Sequence, residues 1–427
     1  MLIDGLWMSI CQSLWLFIPS ICVYFMINTF ILVRIMEFIH GTHKAPQDFI
    51  TNMPDNVVTN ILDRLPVQHA VRTSILSRNW RFKWTMLSQL VFDEMFFKYL
   101  RKSEGKNNHG GVISRLLLHL SGAITKFVLC IDNVLDAEDI NHWILFLSRK
   151  GIKDLTIRNR DETPLMLPTH LFSCLELKHV HLFNCCFNPP PTFHGFLNLL
   201  SLDLCVDFEE NVQLGEFFTK CPLLEILTID DRSQVGKVNV VEIAKIKNLK
   251  VLSLQFCDLD NSIFELVGSL PKLQELHLDF EDYDLIEGGD GKRFSATFPC
   301  LKVLKLSRIC LGGDTELSYA FELIRSFTNL QTLEITVTND WYVGPPPHIN
   351  YDATGLLQLR SVKFECLKGS ENELCLIKFL LACSPFLKKI VIHSHPYIAS
   401  DERMMFAKKL LMLHRASPAA EIDIFQF

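Results

Sequence analysis

The stretch Asn248–Leu259, NLKVLSLQFCDL, decides how this chain folds. Its apolar anchors Leu249, Leu252 and Leu254 stand at offsets 0, +3 and +5, and a cysteine and a leucine at offsets +8 and +10 extend the series. Because side chains alternate along a β-strand, the residues at +3 and +5 point to one face, which we expect to be buried. The residues at +2, +4 and +6 point to the opposite face.

The same frame of anchors occurs in ten further segments. Successive first anchors lie 22 to 29 residues apart, within the period of roughly 20–29 residues that is typical of leucine-rich repeats. The pattern LxxLxLxxCxL resembles that repeat, which predicts an α/β solenoid with a curved parallel sheet and helices on its convex side. The ten segments are Ile124/Phe127/Leu129, Ile152/Leu155/Ile157, Leu177/Val180/Leu182, Leu199/Leu202/Leu204, Leu224/Leu227/Ile229, Leu273/Leu276/Leu278, Leu301/Leu304/Leu306, Leu330/Leu333/Ile335, Leu359/Val362/Phe364 and Leu387/Ile390/Ile392.

The polar face of the predicted sheet is the candidate substrate-binding site. We assign the repeats to residues 115–355 and expect helices such as 136–150 and 260–270 on the convex side. The polar face is then concave, and concave solenoid faces are extended binding surfaces. Two interruptions, 281–294 and 340–352, are either ligand-contacting loops or tolerated surface insertions. The candidate substrate-binding residues are Asp203, Thr228, Asp230, Ser253, Gln255, Glu275, His277, Lys305 and Glu334.

Residues 46–95 form a helical segment ahead of the repeats. A proline followed by Asp55 marks a helix start, and apolar residues then recur with helical period until Pro66 ends that helix. We expect further helices over 68–77 and 77–87, the last with two tryptophans on one face. About 40 residues cannot bury this much apolar surface alone, so part of it must pack on a partner or on the rest of the chain.

This helical segment resembles the F-box. The family's pattern is met by Met53-Pro54, by ILDRLP at 61–66, by LSRNW at 76–80 and by a second tryptophan, and a methionine replaces the commoner leucine at its start. The stretch AVRTSILSRNWRFKW at 70–84 is similar in particular to plant F-box/FBD/LRR proteins. F-boxes bind the Skp adaptor of cullin–RING ubiquitin ligases, so the resemblance implies that partner. The adaptor-binding role carries over to Met53, Pro54, Ile61, Leu62, Leu65, Pro66, Val71, Leu76, Trp80 and Trp84.

The C-terminal residues 356–427 resemble the plant FBD domain. The shared features are KGSENEL at 368–374, a Leu-Leu pair at 380–381, FLKK at 386–389 and RASP at 415–418. The resemblance does not imply a biochemical role for this domain. Because the last repeat of a solenoid exposes an apolar face, we predict that the segment caps the array.

The first 45 residues are unlike the rest of the chain. Residues 10–33 are long enough and apolar enough to span a bilayer, and the basic residues Arg34 and Lys44 on their C-terminal side would place the following chain in the cytosol. A start of translation at Met36, which would make the stretch a spurious extension, and a buried structural helix are the other two interpretations. A membrane contact is therefore predicted only through residues 10–33.

Composition and motif searches argue against several classes of protein. The net charge of −6 and the lack of a Lys/Arg-rich run argue against nucleic acid as a partner. The 14 cysteines include no CxxC pair and fall largely at apolar repeat positions, which indicates buried thiols in a reducing compartment. No phosphate-binding loop, HExxH or GxSxG is present, so we predict no catalytic residues, no cofactor and no metal.

These observations favour a non-catalytic substrate receptor of a Skp–cullin–F-box ubiquitin ligase, cytoplasmic and/or nuclear. It would bind a protein substrate, whose identity the sequence does not give, and lead to its ubiquitination and proteasomal degradation. The alternative is a leucine-rich-repeat scaffold or receptor that only binds a ligand, with a single membrane span and its F-box in the cytosol. A receptor that depends on a small-molecule co-ligand is a third class.

Overall fold

The computed structural model describes residues 53–103, 109–131, 135–207, 214–231, 240–255, 262–280, 298, 300–312, 314–338 and 357–426. These residues form two compact units. The first unit comprises the described residues up to Thr163 together with Pro168–Leu177, and the second comprises Pro164–Leu167 and the described residues from Lys178 onward.

Several predicted segments lie outside the described residues. They are residues 1–45 with the candidate span 10–33, the start of the F-box segment at 46–52, and the insertions 281–294 and 340–352. Among the helices of the described residues, none has both the length and the apolar composition needed to cross a bilayer.

The first unit begins with two short helices that follow prolines. Helix α1 spans Asp55–Leu62 after Pro54, and helix α2 spans Val67–Arg72 after Pro66. Proline suits these positions because its fixed φ is helical and its missing N–H would be unpaired there in any case. Helix α2 continues as a 3-10 turn over Thr73–Ile75.

The third helix predicted over 77–87 is wrong. The chain instead makes turns from Ser77 and then a 3-10 turn over Lys83–Met86. The backbone N–H groups of Trp80, Lys83 and Thr85 each bond the carbonyl three residues earlier, at 3.2, 3.2 and 3.1 Å, which is the spacing of turns and 3-10 helices rather than of an α-helix. As a result the two tryptophans do not share a helical face: Trp80 is buried, whereas Trp84 is half-buried.

The remainder of the first unit is a three-stranded parallel sheet with helices between its strands. Leu90, Phe127 and Leu155 stand side by side in the register of the three strands. The first strand was not predicted, although Leu87, Leu90 and Phe92 fit the 0, +3, +5 frame and are fully buried. The elements are β1 (Gln89–Phe92), α3 (Glu94–Ser103), α4 (His109–His119), β2 (Lys126–Ile131), α5 (Ala137–Ser148), β3 (Asp154–Asn159) and a 3-10 turn (Thr169–Ser173).

The second unit is a series of strands that each follow the anchor frame. From β5 to β14, each strand pairs in parallel with the next. Strand β4 pairs with β5 beside this series. The strands are β4 (Leu165–Met166), β5 (His179–Cys186), β6 (Ser201–Asp207), β7 (Ile226–Asp231), β8 (Val251–Gln255), β9 (Glu275–Asp279), β10 (Val303–Ile309), β11 (Thr332–Val337), β12 (Ser361–Leu367), β13 (Lys389–Ser394) and β14 (Glu421–Gln426). The helices are α6 (Leu214–Thr219), α7 (Ser262–Ser269), α8 (Asp314–Ser326), α9 (Glu371–Cys383) and α10 (Ser400–Leu411), with a 3-10 turn at Val240–Lys245.

The anchors of the repeat frame form the core. In all eleven predicted segments, each of the three anchor side chains is at most 3% exposed. Neighbouring anchors stack in register; Leu227, Leu252 and Leu276 on β7, β8 and β9 are one such row. The predicted α/β leucine-rich-repeat architecture is thereby confirmed.

Three strands share a bulge at offset +7 of the frame. Asn184, Arg308 and Cys366 occupy this position in β5, β10 and β12, with φ of 52°, 54° and 64°, and the strand register shifts at the same point. Left-handed backbone at a residue other than glycine costs about 1–2 kcal/mol. The bulge turns the next residue, at +8, back into the core, where Cys185, Ile309 and Leu367 are buried.

Substitutions on opposite faces of strand β11 test the alternation of buried and outward-facing side chains. Leu333 is fully buried, and its neighbour Thr332 points to the opposite face. We expect Leu333→Ala to lower the free energy of unfolding by about 2–5 kcal/mol, because it leaves a cavity, and Thr332→Ala to change it by less than about 0.5 kcal/mol. Urea unfolding followed by circular dichroism measures both, and equal losses would contradict the assignment.

Candidate functional site

The ten predicted adaptor-binding residues divide into core and surface. Leu62 is 0% exposed and Trp80 is 5% exposed, so both support the fold of the F-box rather than present a contact surface. The other eight are half-buried or exposed: Met53, Pro54, Ile61, Leu65, Pro66, Val71, Leu76 and Trp84. A partner could contact these eight without unfolding the segment.

Three further apolar side chains of this segment are exposed and were missed among the site residues. Ile75 is 80% exposed, Phe82 is 66% exposed and Val57 is 41% exposed. Val57 lies one helical turn before Ile61 on α1, a spacing that puts both on one face and could have revealed it. Exposed apolar groups this dense in a short segment are typical of a protein-binding surface. The exposed arginines Arg64, Arg72, Arg78 and Arg81 belong to the same segment.

Asp63 ties the F-box helices to the first repeat strand. Its carboxylate accepts hydrogen bonds from the Ser88 backbone N–H at 2.9 Å, from the Ser88 hydroxyl at 2.6 Å and from the Gln89 backbone N–H at 3.2 Å. These donors lie at the start of β1. The bonds therefore fix the end of α1, and the apolar residues around it, against the sheet of the same unit.

Loss of this carboxylate should loosen the F-box. We expect Asp63→Ala to destabilise residues 53–92 by about 1–3 kcal/mol, because it leaves partly buried donors unpaired, and to speed amide hydrogen exchange there. Asp55→Ala is the control, since its exposed ion pair with Lys83 is worth no more than about 1 kcal/mol. Equal exchange rates in the two variants would contradict the role given to Asp63.

The nine predicted substrate-binding residues all lie on one face of the second unit. We call this the open face and define it as the residues at offsets +2, +4 and +6 of strands β5–β14. The offset +4 residues form one continuous row across β6 to β11: Asp203, Thr228, Ser253, His277, Lys305 and Glu334. Asp230 and Gln255 pair in the +6 row, and Glu275 lies in the +2 row beside Val251.

Ion pairs order much of the open face. Glu275 bonds His277 Nε2 at 2.7 Å and Lys305 Nζ at 2.9 Å, and Glu334 lies 4.0 Å from the same lysine nitrogen. His181, which was not among the predicted residues, pairs with Asp203 at 2.5 Å. Burial alone would raise the pKa of Glu275, but the hydrogen bonds from Lys305 and His277 outweigh it and hold that pKa below its ordinary value.

Other ion pairs on this face were also missed. Lys363 pairs with Glu365 at 2.6 Å, Lys389 with Asp423 at 2.8 Å, and Arg308, which follows the +6 residue of β10, with Asp279 at 2.7 Å. The hydrogen bond from Lys363 is the largest cause that lowers the pKa of Glu365.

The centre of the open face, on β7 and β8, is uncharged in its +2 and +4 rows. Ile226 is 41% exposed there, and Val251 stands beside it in register and is half-buried. Thr228 and Ser253 occupy the next row. The ion-paired groups flank this centre on both sides.

Acid should weaken the second unit through its paired carboxylates. The folded-state pKa of Glu275 and of Glu365 is held below the ordinary value of 4.5. Their contribution to the free energy of unfolding is therefore complete above that value and is lost as the pH falls through the lower folded-state pKa. We expect Glu275→Gln to lose less stability than the wild type between about pH 6 and pH 3.5. Urea unfolding at both pH values measures this, and equal losses would count against it.

The buried thiols are poor nucleophiles. Burial raises the pKa of Cys174 and of Cys185 to about 12 and that of Cys221 to about 11, so thiolate is scarce at neutral pH. Among the described residues, no group of three His, Cys, Asp or Glu side chains stands in an arrangement that could hold a metal ion.

The residues that resemble the FBD domain make contacts within the chain. The Glu373 carboxylate accepts backbone N–H bonds from Gly369 at 2.6 Å and Ser370 at 2.8 Å, which caps α9. Asn372 is fully buried and donates to the Leu311 carbonyl at 2.9 Å. Ser417 donates to a carbonyl of the preceding repeat at 2.6 Å. Glu373 thus orders the start of α9, whereas Asn372 and Ser417 each join their own segment to an earlier repeat.

Comparisons with known proteins agree with these features. The F-box domain family model matches residues 50–91, and the model described as FBD-associated F-box protein At5g56370, LRR repeats, matches residues 140–245. The F-box/FBD/LRR-repeat protein At1g13570 of Arabidopsis thaliana is 30% identical over 89% of this chain and 99% of its own length. The putative F-box/FBD/LRR-repeat protein At4g00315 of the same plant is 27% identical over 69% of this chain and 74% of its own length. The FBD-associated F-box protein At4g10400, also of Arabidopsis thaliana, is 28% identical over 56% and 63%.

Proposed function

We propose that this chain, which belongs to the F-box/FBD/LRR-repeat protein family, is the substrate-receptor subunit of a Skp–cullin–F-box ubiquitin ligase. The F-box segment 46–95 binds the Skp adaptor, and the repeats at 115–355 bind a protein substrate. Residues 356–427 form the FBD domain and close the array. The bound substrate is ubiquitinated and then degraded by the proteasome, in the cytoplasm and/or the nucleus.

The exposed apolar surface of the F-box segment is the observation that carries this proposal. Ile75 and Phe82 are largely exposed, and Ile61 and Leu65 are partly exposed. A domain that folds without a partner would bury such apolar side chains. Burial of apolar surface is the main source of binding free energy at such a patch. The exposed arginines of the segment favour a partner with acidic groups around an apolar groove.

The receptor role requires no catalytic group in this chain. The ligase's other subunits supply the chemistry, and the receptor contributes proximity by holding a substrate near the activated ubiquitin. The open face suits this task because its ion pairs fix side chains in place before binding, which lowers the entropic cost of association.

A matched pair of substitutions tests adaptor binding. Ile75 in the F-box segment and Leu118 on α4 are each 80% exposed. We expect Ile75→Asp to weaken binding of a plant Skp adaptor at least about tenfold, because it puts a charge into an apolar interface, and Leu118→Asp to leave it unchanged. Isothermal titration calorimetry with the purified adaptor measures both affinities.

Leu65→Ala is a second probe of the same interface. It is a better choice than Trp80→Ala, because Trp80 lies in the core and its loss would unfold the segment. If the wild-type chain binds no Skp adaptor, the ligase proposal fails and a leucine-rich-repeat scaffold that only binds a ligand remains.

A further inference from the structure

The open face carries most of the net charge of the chain. Its thirty positions, three on each of ten strands, hold eight acidic residues and three lysines. With its four histidines counted as neutral, the balance is 3 − 8 = −5, and Arg308 beside them makes it −4. The whole chain has 42 − 48 = −6. The acidic residues are Asp203, Asp230, Glu275, Asp279, Glu334, Glu365, Glu421 and Asp423, and the lysines are Lys305, Lys363 and Lys389.

The cations of this face are already engaged. Each of the three lysines, and Arg308, lies within 2.6 to 2.9 Å of a carboxylate on the same face. The carboxylates outnumber them, and several remain open to solvent: the side chain of Asp203 is 37% exposed and that of Glu334 is 40% exposed. Asp230 and Asp279 are buried, but the other six acidic residues still outnumber the three lysines, so a ligand that meets this face encounters surplus negative charge.

The apolar centre of the face is a second and independent feature. Ile226 is 41% exposed, with Ser201 beside it on β6, and Val251 beside it on β8 widens the apolar area. Asp203 lies on β6, on one side of this pair. Glu275 lies on β9, on the other side, where it and Glu334 share the single lysine Lys305 and so keep a net negative charge. The arrangement fits an aliphatic side chain in the middle with a cationic side chain at each end.

Strand spacing sets the length of the matching segment. From β6 to β9 there are three steps of about 4.8 Å, or roughly 14 Å in all. An extended peptide that crosses the strands advances about 3.3–3.6 Å per residue, so roughly four residues cover this distance. Two basic residues about four positions apart, with an aliphatic residue between them, would meet Asp203, Ile226 and Glu275 in turn.

We propose that the substrate segment recognised by this chain is basic, with Lys or Arg residues flanking an aliphatic side chain that packs on Ile226 and Val251. The inference rests on the proposed receptor function and names the substrate class of its binding face. Attraction between the acidic face and the basic segment speeds encounter and selects against acidic or phosphorylated segments.

The probe is a fluorescein-labelled ten-residue peptide of serine and glycine that carries two lysines four positions apart around a central leucine. A counterpart has glutamates in place of the lysines. Fluorescence anisotropy with the full chain should show saturable binding of the basic peptide only. Its affinity should fall as salt rises, because exposed charges are screened.

Three variants locate the binding. Asp203→Lys should weaken the basic peptide at least about tenfold, because it replaces attraction with repulsion at one end of the site. Ile226→Ser should weaken it about threefold or more through lost apolar contact. Glu265→Lys is the matched control, an exposed acid on α7 of the same unit, and should change the affinity less than about twofold.

Several results would overturn the inference. They are no binding of the basic peptide, tighter binding of the glutamate peptide, or equal losses in Asp203→Lys and Glu265→Lys. Thermal unfolding shows whether each variant folds, and the conservative Asp203→Asn replaces Asp203→Lys if the latter does not. Skp-adaptor affinity is measured on the same samples. If the wild-type chain binds the adaptor but not the peptide, only this inference is contradicted. If it binds the peptide but not the adaptor, only the ligase proposal is contradicted.

Discussion

The burial of three anchor side chains in every repeat is the constraint on which the rest of the structure depends. One short strand cannot shield its own apolar side chains, so each repeat gains its stability from the anchors of its neighbours. The stacked row of Leu227, Leu252 and Leu276 shows this directly, because each covers the next in register. Parallel order follows from the same constraint, since every strand must bring its anchors to the side where helices such as α8 and α9 return.

The F-box segment solves a different problem. It is too short to bury all of its apolar side chains, and only some of them, including Leu62 and Trp80, lie in its core. Polar contacts do the rest: the carboxylate of Asp63 holds the end of α1 to the start of β1. Apolar residues such as Ile75 and Phe82 therefore stay exposed, while the segment keeps a fixed geometry.

Sequence alone predicted the features that depend on local spacing. The anchors and the membership of the open face follow from the alternation of side chains, so residues such as Leu254 and Lys305 were assigned to the correct sides. Strand β1, with its buried Leu90 and Phe92, was missed because it lies where the sequence resembles the F-box. The helix expected over 77–87 did not form, since the backbone there bonds with a spacing of three residues rather than four, a difference that the spacing of the two tryptophans does not reveal. The ion pair of Lys305 with Glu275 joins residues thirty positions apart, and only the strand register brings them together.

The alternation along each strand has an evolutionary consequence. Anchor and open-face positions never coincide, so a substitution at an exposed +2, +4 or +6 position changes the surface of the sheet without opening a cavity among the anchors, whereas a change at 0, +3 or +5 does the reverse. The packing of the core and the composition of the open face are thus encoded at separate positions of the sequence. A lineage built on this frame can change the side chains of its open face by single substitutions while its architecture persists.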